Sequence, residues 1–292
     1  SNITWGLRDN FFDIPTDCPQ RDERLGWTGD AQVIAPTSLF NYDVHAFWTA
    51  WLQSLRENQS EHKDGMVPFI VPDVLQTKSG SSGWGDAAVI IPWDIYNATG
   101  DITVLEESYE SAKKWVGYYQ SKVKKQPYLP KMHSFSDWLQ PYPSKAGKMG
   151  NRGDTPKDLI HAAFFAHSAH LVSKIANTLG KTDDAKKYRD LYKAVANAFE
   201  TAFFEEGKFT GKIQTQTIYL LGIYFDLFKP ETKLNAQKYL LEEIKNADNH
   251  LRTGFLGTPI LPKVLDDMGE IDLMYKILFK ETYPSWFYSI NQ

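Results

Sequence analysis

The sequence predicts an all-α fold, a toroid of six helical hairpins that these residues leave incomplete. Two observations predict it: apolar residues recur at three-to-four spacing along most of the chain, and helix-ending glycines recur between such segments. Three stretches share one grammar, "YNATGDITVLEE", "ANTLGKTDDAKKY" and "LDDMGEIDLMYK". In each an apolar-periodic segment ends at a glycine (Gly100, Gly180, Gly269), polar residues follow, and a second periodic segment begins. Glycine adopts the left-handed conformation that closes a helix, and Asp or Thr after it caps the next, so each stretch reads as the turn of an antiparallel hairpin.

Taken in order, residues 1–29 read as a non-helical lead-in, with Pro15, Pro19, Gly26 and Gly29 breaking any continuous helix. Helices are expected to start near 30 and 43. Residues 58–85 read as a long loop rich in glycine and proline. The next pair starts near 86 and 102, joined at Gly100; Val104, Tyr109, Ala112, Trp115 and Tyr119 mark the buried stripe of its second member. Residues 126–155 read as a third long loop. The pair starting near 155 and 183 turns at Gly180, with Leu159, Ala163, Phe164, Ala166, His167, Leu171 and Ile175 at helical intervals. Helices near 214 and 231, then near 258 and 271 about Gly269, complete five pairs. Hairpins that bury only one face must stack on neighbours, and closing the stack into a ring removes its open ends, which is the reason to expect six. Loops as long as the three above are functional or disordered, and their aromatic content argues for function. One domain over 1–292 is the simpler organisation.

The chain has 292 residues, 42% of them hydrophobic and 14% aromatic, enough for a sizeable core. Lysine plus arginine total 32 against 36 acidic residues, a formal charge of −4, and the basic residues of "SKVKK" (Lys122, Lys124, Lys125) are scattered along helices, so nucleic acid is an unfavoured partner. The longest apolar run, "AAVIIPWDIY", is short and broken by Pro92 and Asp94, which excludes membrane insertion of this segment. A single cysteine, Cys18, excludes an internal disulfide and a cysteine-built zinc site, and is compatible with cytoplasm and periplasm alike. The start, "SNITWGLRDNFF", has the character of a domain interior, the mark of an excerpt from a longer chain.

The densest chemistry lies in "PTDCPQRDERLGWTGDAQ", residues 15–32, where Asp17, Asp22, Glu23 and Asp30 stand with Arg21, Arg24 and Trp27 in a loop. A carboxyl beside an indole loses hydration and holds a proton near neutral pH, while one paired with arginine stays ionised. One loop can thus supply an acid and an anion that grips a sugar. The same spacing equally describes a salt-bridged loop bracing two helices. Trp84 with Asp86 on "SSGWGDA", and Asp137 with Trp138 on "HSFSDWLQ", are flanked by Gly, Ser and Asp and read as walls of a site for hydroxyl-rich rings. Trp48, Trp51 and Trp115 fall at core spacing, and Trp93 is open between core and site. His167 and His170 are three apart on a helix, but His161 is turned away and no third ligand stands at a helical interval. No metal site and no cofactor are expected; no dense run of oxygen ligands suggests calcium.

"DCPQRDERLGWTGDAQ" closely resembles the signature of the α-L-rhamnosidases of glycoside hydrolase family 78. The likeness continues in the family's order through "GWGDAAVIIPWDIY", "DLIHAAFFAHSAHLVSKIANTLGK", "TGFLGTPILPKVLDDMGEIDLMYKIL" and "YPSWFY". The resemblance implies an (α/α)6 barrel that hydrolyses terminal α-L-rhamnosyl bonds of glycosides or polysaccharides with inversion. It implies that Glu23 is the general acid, that Asp17, Arg21 and Asp30 contact rhamnose hydroxyls, and that Trp27 walls the subsite. Asp22 and Arg24 receive no role beyond bracing the loop. The family's general base is a glutamate in a Gly-Ala-Thr-Thr-x-Trp-Glu motif shortly after "YPSWFY"; here the sequence reads "SINQ" to Gln292, so the base is expected beyond it. Glu270 and Glu281 stand outside that motif. β-Sandwich modules before the segment and a β-domain after it are expected in the same polypeptide, and 1–292 alone is expected to expose apolar faces and turn over poorly. The alternatives are a helical-toroid glycosidase of other sugar preference, because loops decide which sugar fits, and a non-catalytic carbohydrate-binding toroid.

Overall fold

A computed structural model describes residues 1–124, 127–144 and 153–290. Twelve helices and one short hairpin make up the described residues, in the order α1 (Asn2–Asn10), α2 (Thr28–Asn41), α3 (His45–Ser60), α4 (Ala87–Thr99), α5 (Thr103–Ser121), α6 (Lys157–Thr178), α7 (Thr182–Phe203), β1 (Phe204–Glu205), β2 (Lys208–Phe209), α8 (Gln216–Tyr224), α9 (Pro230–Asn246), α10 (Leu261–Asp267), α11 (Ile271–Leu278) and α12 (Trp286–Ile290). The fold class is all-α. Each of the ten expected helices begins within about three residues of its expected start. Gly100, Gly180 and Gly269 have φ of 73°, 70° and 76°, the left-handed closure the sequence pattern requires.

Three elements differ from expectation. Residues 2–10 form α1 where a non-helical lead-in was expected; its Ile3 and Trp5 are exposed and only Leu7 is buried, so the segment carries no apolar stripe to reveal it. β1 and β2 pair antiparallel across Glu206 and Gly207, whose φ of 48° and 82° are both positive, as a two-residue hairpin turn demands. α12 is "WFYSI" and begins inside "YPSWFY", a segment valued above only for its motif. Lys125, Gln292 and part of the loop 126–155 lie outside the described residues.

The chain divides into two compact units, with passages between them inside α6 and α7. The first comprises Ser1–Ser134 and Phe164–Ala194. In it α2 packs on α4, α4 on α5, and α3 on both α4 and α5. Trp48, Trp51 and Trp115, read from the sequence as core, are at most 1% exposed. Trp115 stacks on Tyr118 at 5.2 Å and Tyr119 on Phe165 at 5.2 Å. The second unit comprises Phe135–Ala163 and Val195–Gln292. There α8, buried from Gln216 to Ile223, packs on α9 and α10, and α10 on α11. Its aromatic cluster joins Phe199, Phe204, Phe228 and Tyr219. No helix among the described residues is long and apolar enough to cross a membrane.

Candidate active site

Residues 15–27 form a closed loop that feeds α2. The Asp17 N–H donates to the Leu25 carbonyl at 3.1 Å, and the Leu25 N–H donates back to Asp17 Oδ1 at 3.0 Å, so the two ends are tied by both backbone and side chain. After Gly26 the chain runs beside residues 69–71: the Val71 N–H donates to the Gly26 carbonyl at 2.8 Å, and the Thr28 N–H to the Phe69 carbonyl at 3.0 Å. The Trp27 ring stacks on Phe69 at 5.5 Å and 13°. The glycines of "GWTG" are there because nothing larger fits. A Cβ on Gly26 would lie 2.1 Å from the Val71 carbonyl oxygen, and one on Gly29 2.5 Å from Nε1 of the Trp84 indole.

Within the loop Arg21 gathers two carboxylates. Its Nε donates to Glu23 Oε2 at 3.0 Å, and its Nη2 lies 2.8 Å from the same oxygen and 3.4 Å from Asp17 Oδ2. Asp17 is 8% exposed and Glu23 37%. Arg24, between Glu23 and Leu25, has φ of 35°, a strained value of the kind found at functional loops. Asp22 and Arg24 are exposed. Asp30 sits half-buried in the first turn of α2. Burial pushes its carboxyl up to about 7, helped by the negative charges of Asp17 and Glu23 and opposed by its own backbone N–H and by Arg21. The resemblance implied Glu23 as the general acid; the structure sets Glu23 against the Arg21 guanidinium, and the desolvated carboxyl is Asp30, in the first turn of α2.

Trp84 and Asp86 stand differently from the walls expected of them. Trp84 is 3% exposed, its ring packed on Gly29 at the first turn of α2. Asp86 is wholly buried: Oδ1 accepts from Trp115 Nε1 at 2.9 Å and Ser168 Oγ at 2.6 Å, Oδ2 from the Gly83 N–H at 2.7 Å, and both from the Tyr119 hydroxyl at 3.2 and 3.0 Å. Burial holds its carboxyl up to about 6, and those four donors hold it below where burial alone would put it. Gln32 Nε2 donates to the Gly83 carbonyl at 2.6 Å, so Gly83 is clamped on both its amide faces. Asp86 therefore lacks the open surface of a sugar contact, and acts on the loop that presses Trp84 against α2. Gln32 and Phe69 were not singled out by sequence; Gln32 stood inside the quoted motif as "DAQ", whereas Phe69, in "VPFIV", carried no signal.

In the second unit Trp138 is half-buried, edge-on to Phe135 at 6.3 Å. Its neighbour Asp137 is wholly buried and accepts from the N–H groups of Gly254, Leu256 and Gly257 at 2.8, 2.9 and 3.2 Å and from Thr217 Oγ1 at 2.5 Å, pinning the "TGFLG" turn. Ser136 and Leu139, on either side of this pair, have φ of 63° and 61°. Trp93, on α4, lies half-buried under Lys174 at 5.6 Å and beside Tyr96 at 5.5 Å. Its neighbour Asp94 is a half-buried carboxyl that burial pushes up to about 7. His167 is held down to about 3 by burial next to His170 and Lys174. Among the described residues no group of three or more His, Cys, Asp or Glu is arranged to hold a metal ion.

Residues 1–292 match the family described as the bacterial alpha-L-rhamnosidase 6 hairpin glycosidase domain. The chain is 61% identical over 292 residues to an alpha-L-rhamnosidase of Formosa agariphila, and 54% identical over 293 residues to one of Alteromonas sp.. All of this chain is covered in the first case and 99% in the second, but it spans only 31% of each relative's length. The crystal structure of the Streptomyces avermitilis alpha-L-rhamnosidase complexed with L-rhamnose superposes with a TM-score of 0.89 at 40% identity, over 99% of this chain and 26% of that one.

Proposed function

The chain belongs to the family of bacterial α-L-rhamnosidase six-hairpin glycosidase domains, and from that premise we propose that its natural protein hydrolyses terminal α-L-rhamnosyl residues of glycosides or polysaccharides. The reaction is direct displacement at the anomeric carbon with inversion. Glu23 is the general acid that protonates the departing oxygen, Asp17, Arg21 and Asp30 hold the ring hydroxyls, and Trp27 with Phe69 forms an apolar wall. A glutamate beyond Gln292 is the general base, and residues 1–292 act as one catalytic domain beside β-domains of the same polypeptide.

The observation that carries this reading is the sharing of one guanidinium by Asp17 and Glu23 in an anchored loop. Arg21 reaches both carboxylates, so one guanidinium fixes the gripping Asp17 and the acid Glu23 side by side on the loop. Inversion also requires the acid and base carboxyls to flank the bond about 6.5–9.5 Å apart, with room for water. Asp17 and Glu23, joined through a single guanidinium on one loop, suit gripping and proton donation rather than attack from the opposite face.

The test is the stereochemistry of the first product. Proton NMR of p-nitrophenyl α-L-rhamnoside hydrolysed by the natural full-length protein should show β-L-rhamnose appearing first and the α-anomer growing by mutarotation. Initial release of the α-anomer would overturn the inverting mechanism, and cleavage of other glycosides with no action on rhamnosides would overturn the substrate.

A further inference from the structure

We infer that Asp30 meets the bound sugar as a carboxylic acid, a hydrogen-bond donor, while Asp17 and Glu23 remain the pair served by Arg21. This rests on the reading of the loop as a sugar site and goes beyond it by assigning a protonation state, and hence a hydrogen-bonding sense, to one contact.

The geometry behind it is a count of charges. Asp17 and Glu23 already occupy the Arg21 guanidinium, and Asp30, in the first turn of α2, feels the charges of all three. Asp17 gains further from the Leu25 N–H. Asp30 has its own backbone N–H, but among the described residues no lysine, arginine or histidine forms an ion pair with it, and its position at the start of α2 is half-buried beside the Gly29–Trp84 contact. The elements packed around it bring little that reverses this. The loop contributes Asp17, Glu23 and Arg21; segment 67–71 has no titratable side chain; α4, which packs on α2, carries Asp94, itself a carboxyl raised by burial; and Asp86 is enclosed by its own four donors. The start of a helix favours an anion, but typically by only about 0.3–1 kcal/mol, less than the cost of desolvating a carboxylate. Burial accordingly outweighs the backbone N–H and raises the group to about 7.

The consequence is chemical. Carboxylates accept hydrogen bonds, and a site made only of them satisfies only the O–H donors of a sugar. A neutral acid supplies a donor to a hydroxyl or ring oxygen acting as acceptor, and a bound sugar that excludes water raises the cost of ionising it further. Binding should therefore take up protons. With the carboxyl raised to about 7, part of the free protein is ionised there at pH 7, so binding takes up a fraction of a proton per sugar.

Isothermal titration of the natural protein with L-rhamnose at pH 7, in buffers of different ionisation enthalpy, counts those protons. The expected result is a fractional proton uptake, absent in Asp30→Asn and retained in Glu23→Gln. Thermal melts check that Asp30→Asn is folded, and its amide keeps a donor. Rhamnose binding without proton uptake, uptake that survives in Asp30→Asn, or a folded Asp30→Asn protein that no longer binds at pH 5.5 would overturn the inference while leaving the sugar site standing. Absence of any L-rhamnose binding by the unmodified protein would overturn the site reading itself.

Discussion

Replacing Asp86 separates bracing from binding. In Asp86→Ala the fixed donors Gly83 N–H and Trp115 Nε1–H lose their acceptor in a fully buried place, while the hydroxyls of Tyr119 and Ser168 can rotate. An orphaned buried donor costs about 1–3 kcal/mol, so the two fixed donors together cost about 2–6 kcal/mol. An unfolding entropy of about 2.1 cal/mol/K per residue makes each kcal/mol worth about 1.6 °C in a chain of 292 residues. The melting temperature of the 1–292 chain should therefore fall by about 3–10 °C in differential scanning calorimetry. Asp86→Asn should fall part of the way, since one oxygen remains while the amide N–H₂ faces another donor. A melting temperature within a degree of the parent for both variants, with weakened sugar binding, would refute the bracing role and return Asp86 to the sugar contacts.

Two further changes probe the same unit. Gly29→Ala puts a methyl group 2.5 Å from the Trp84 indole, so overpacking should cost about 1–3 kcal/mol and displace that ring, read as a lower melting temperature with a shifted tryptophan emission; an unaltered spectrum would show that the first turn of α2 is not held by this contact. Asp94 has its carboxyl pushed by burial from 3.8 up to about 7. The folded chain thus binds this proton more tightly than the unfolded chain, and stability is lost as pH rises from about 4 through 7, by up to about 4 kcal/mol. Asp94→Asn should melt higher than the parent at pH 8 and nearly with it at pH 4; a difference independent of pH would contradict the burial of this group.

The helices were legible because they obey local rules. A glycine that must turn left-handed and a stripe repeating every three to four residues are both visible within a dozen positions, and they located Gly100, Gly180 and Gly269 and the helices around them. α1 was hidden because Ile3 and Trp5 face outward, leaving no stripe. The charged loop was legible for a related reason: Pro15, Pro19, Gly26 and Gly29 forbid a continuous helix, and charges concentrated in such a segment need another purpose. What sequence could not give was depth. Asp86, in "SSGWGDA", has the glycine and serine neighbours of an exposed site loop, but its partners Trp115, Tyr119 and Ser168 lie 29, 33 and 82 residues away and enclose it. Trp84 was misjudged with it, since only the folded chain brings its indole to Gly29. Asp30 shows the converse: its place in the motif was evident, yet its desolvation depends on how α2 packs, and no spacing rule reports that.

The central claim, that Glu23 delivers the proton to the leaving oxygen, is tested most directly by changing the leaving group. For the natural protein, Glu23→Gln should lower kcat on an alkyl α-L-rhamnoside, whose oxygen needs protonation, by about 10²- to 10⁴-fold. The loss on p-nitrophenyl α-L-rhamnoside, whose leaving group departs readily as an anion, should be much smaller. Equal losses on both substrates, or none on either, would contradict the assignment.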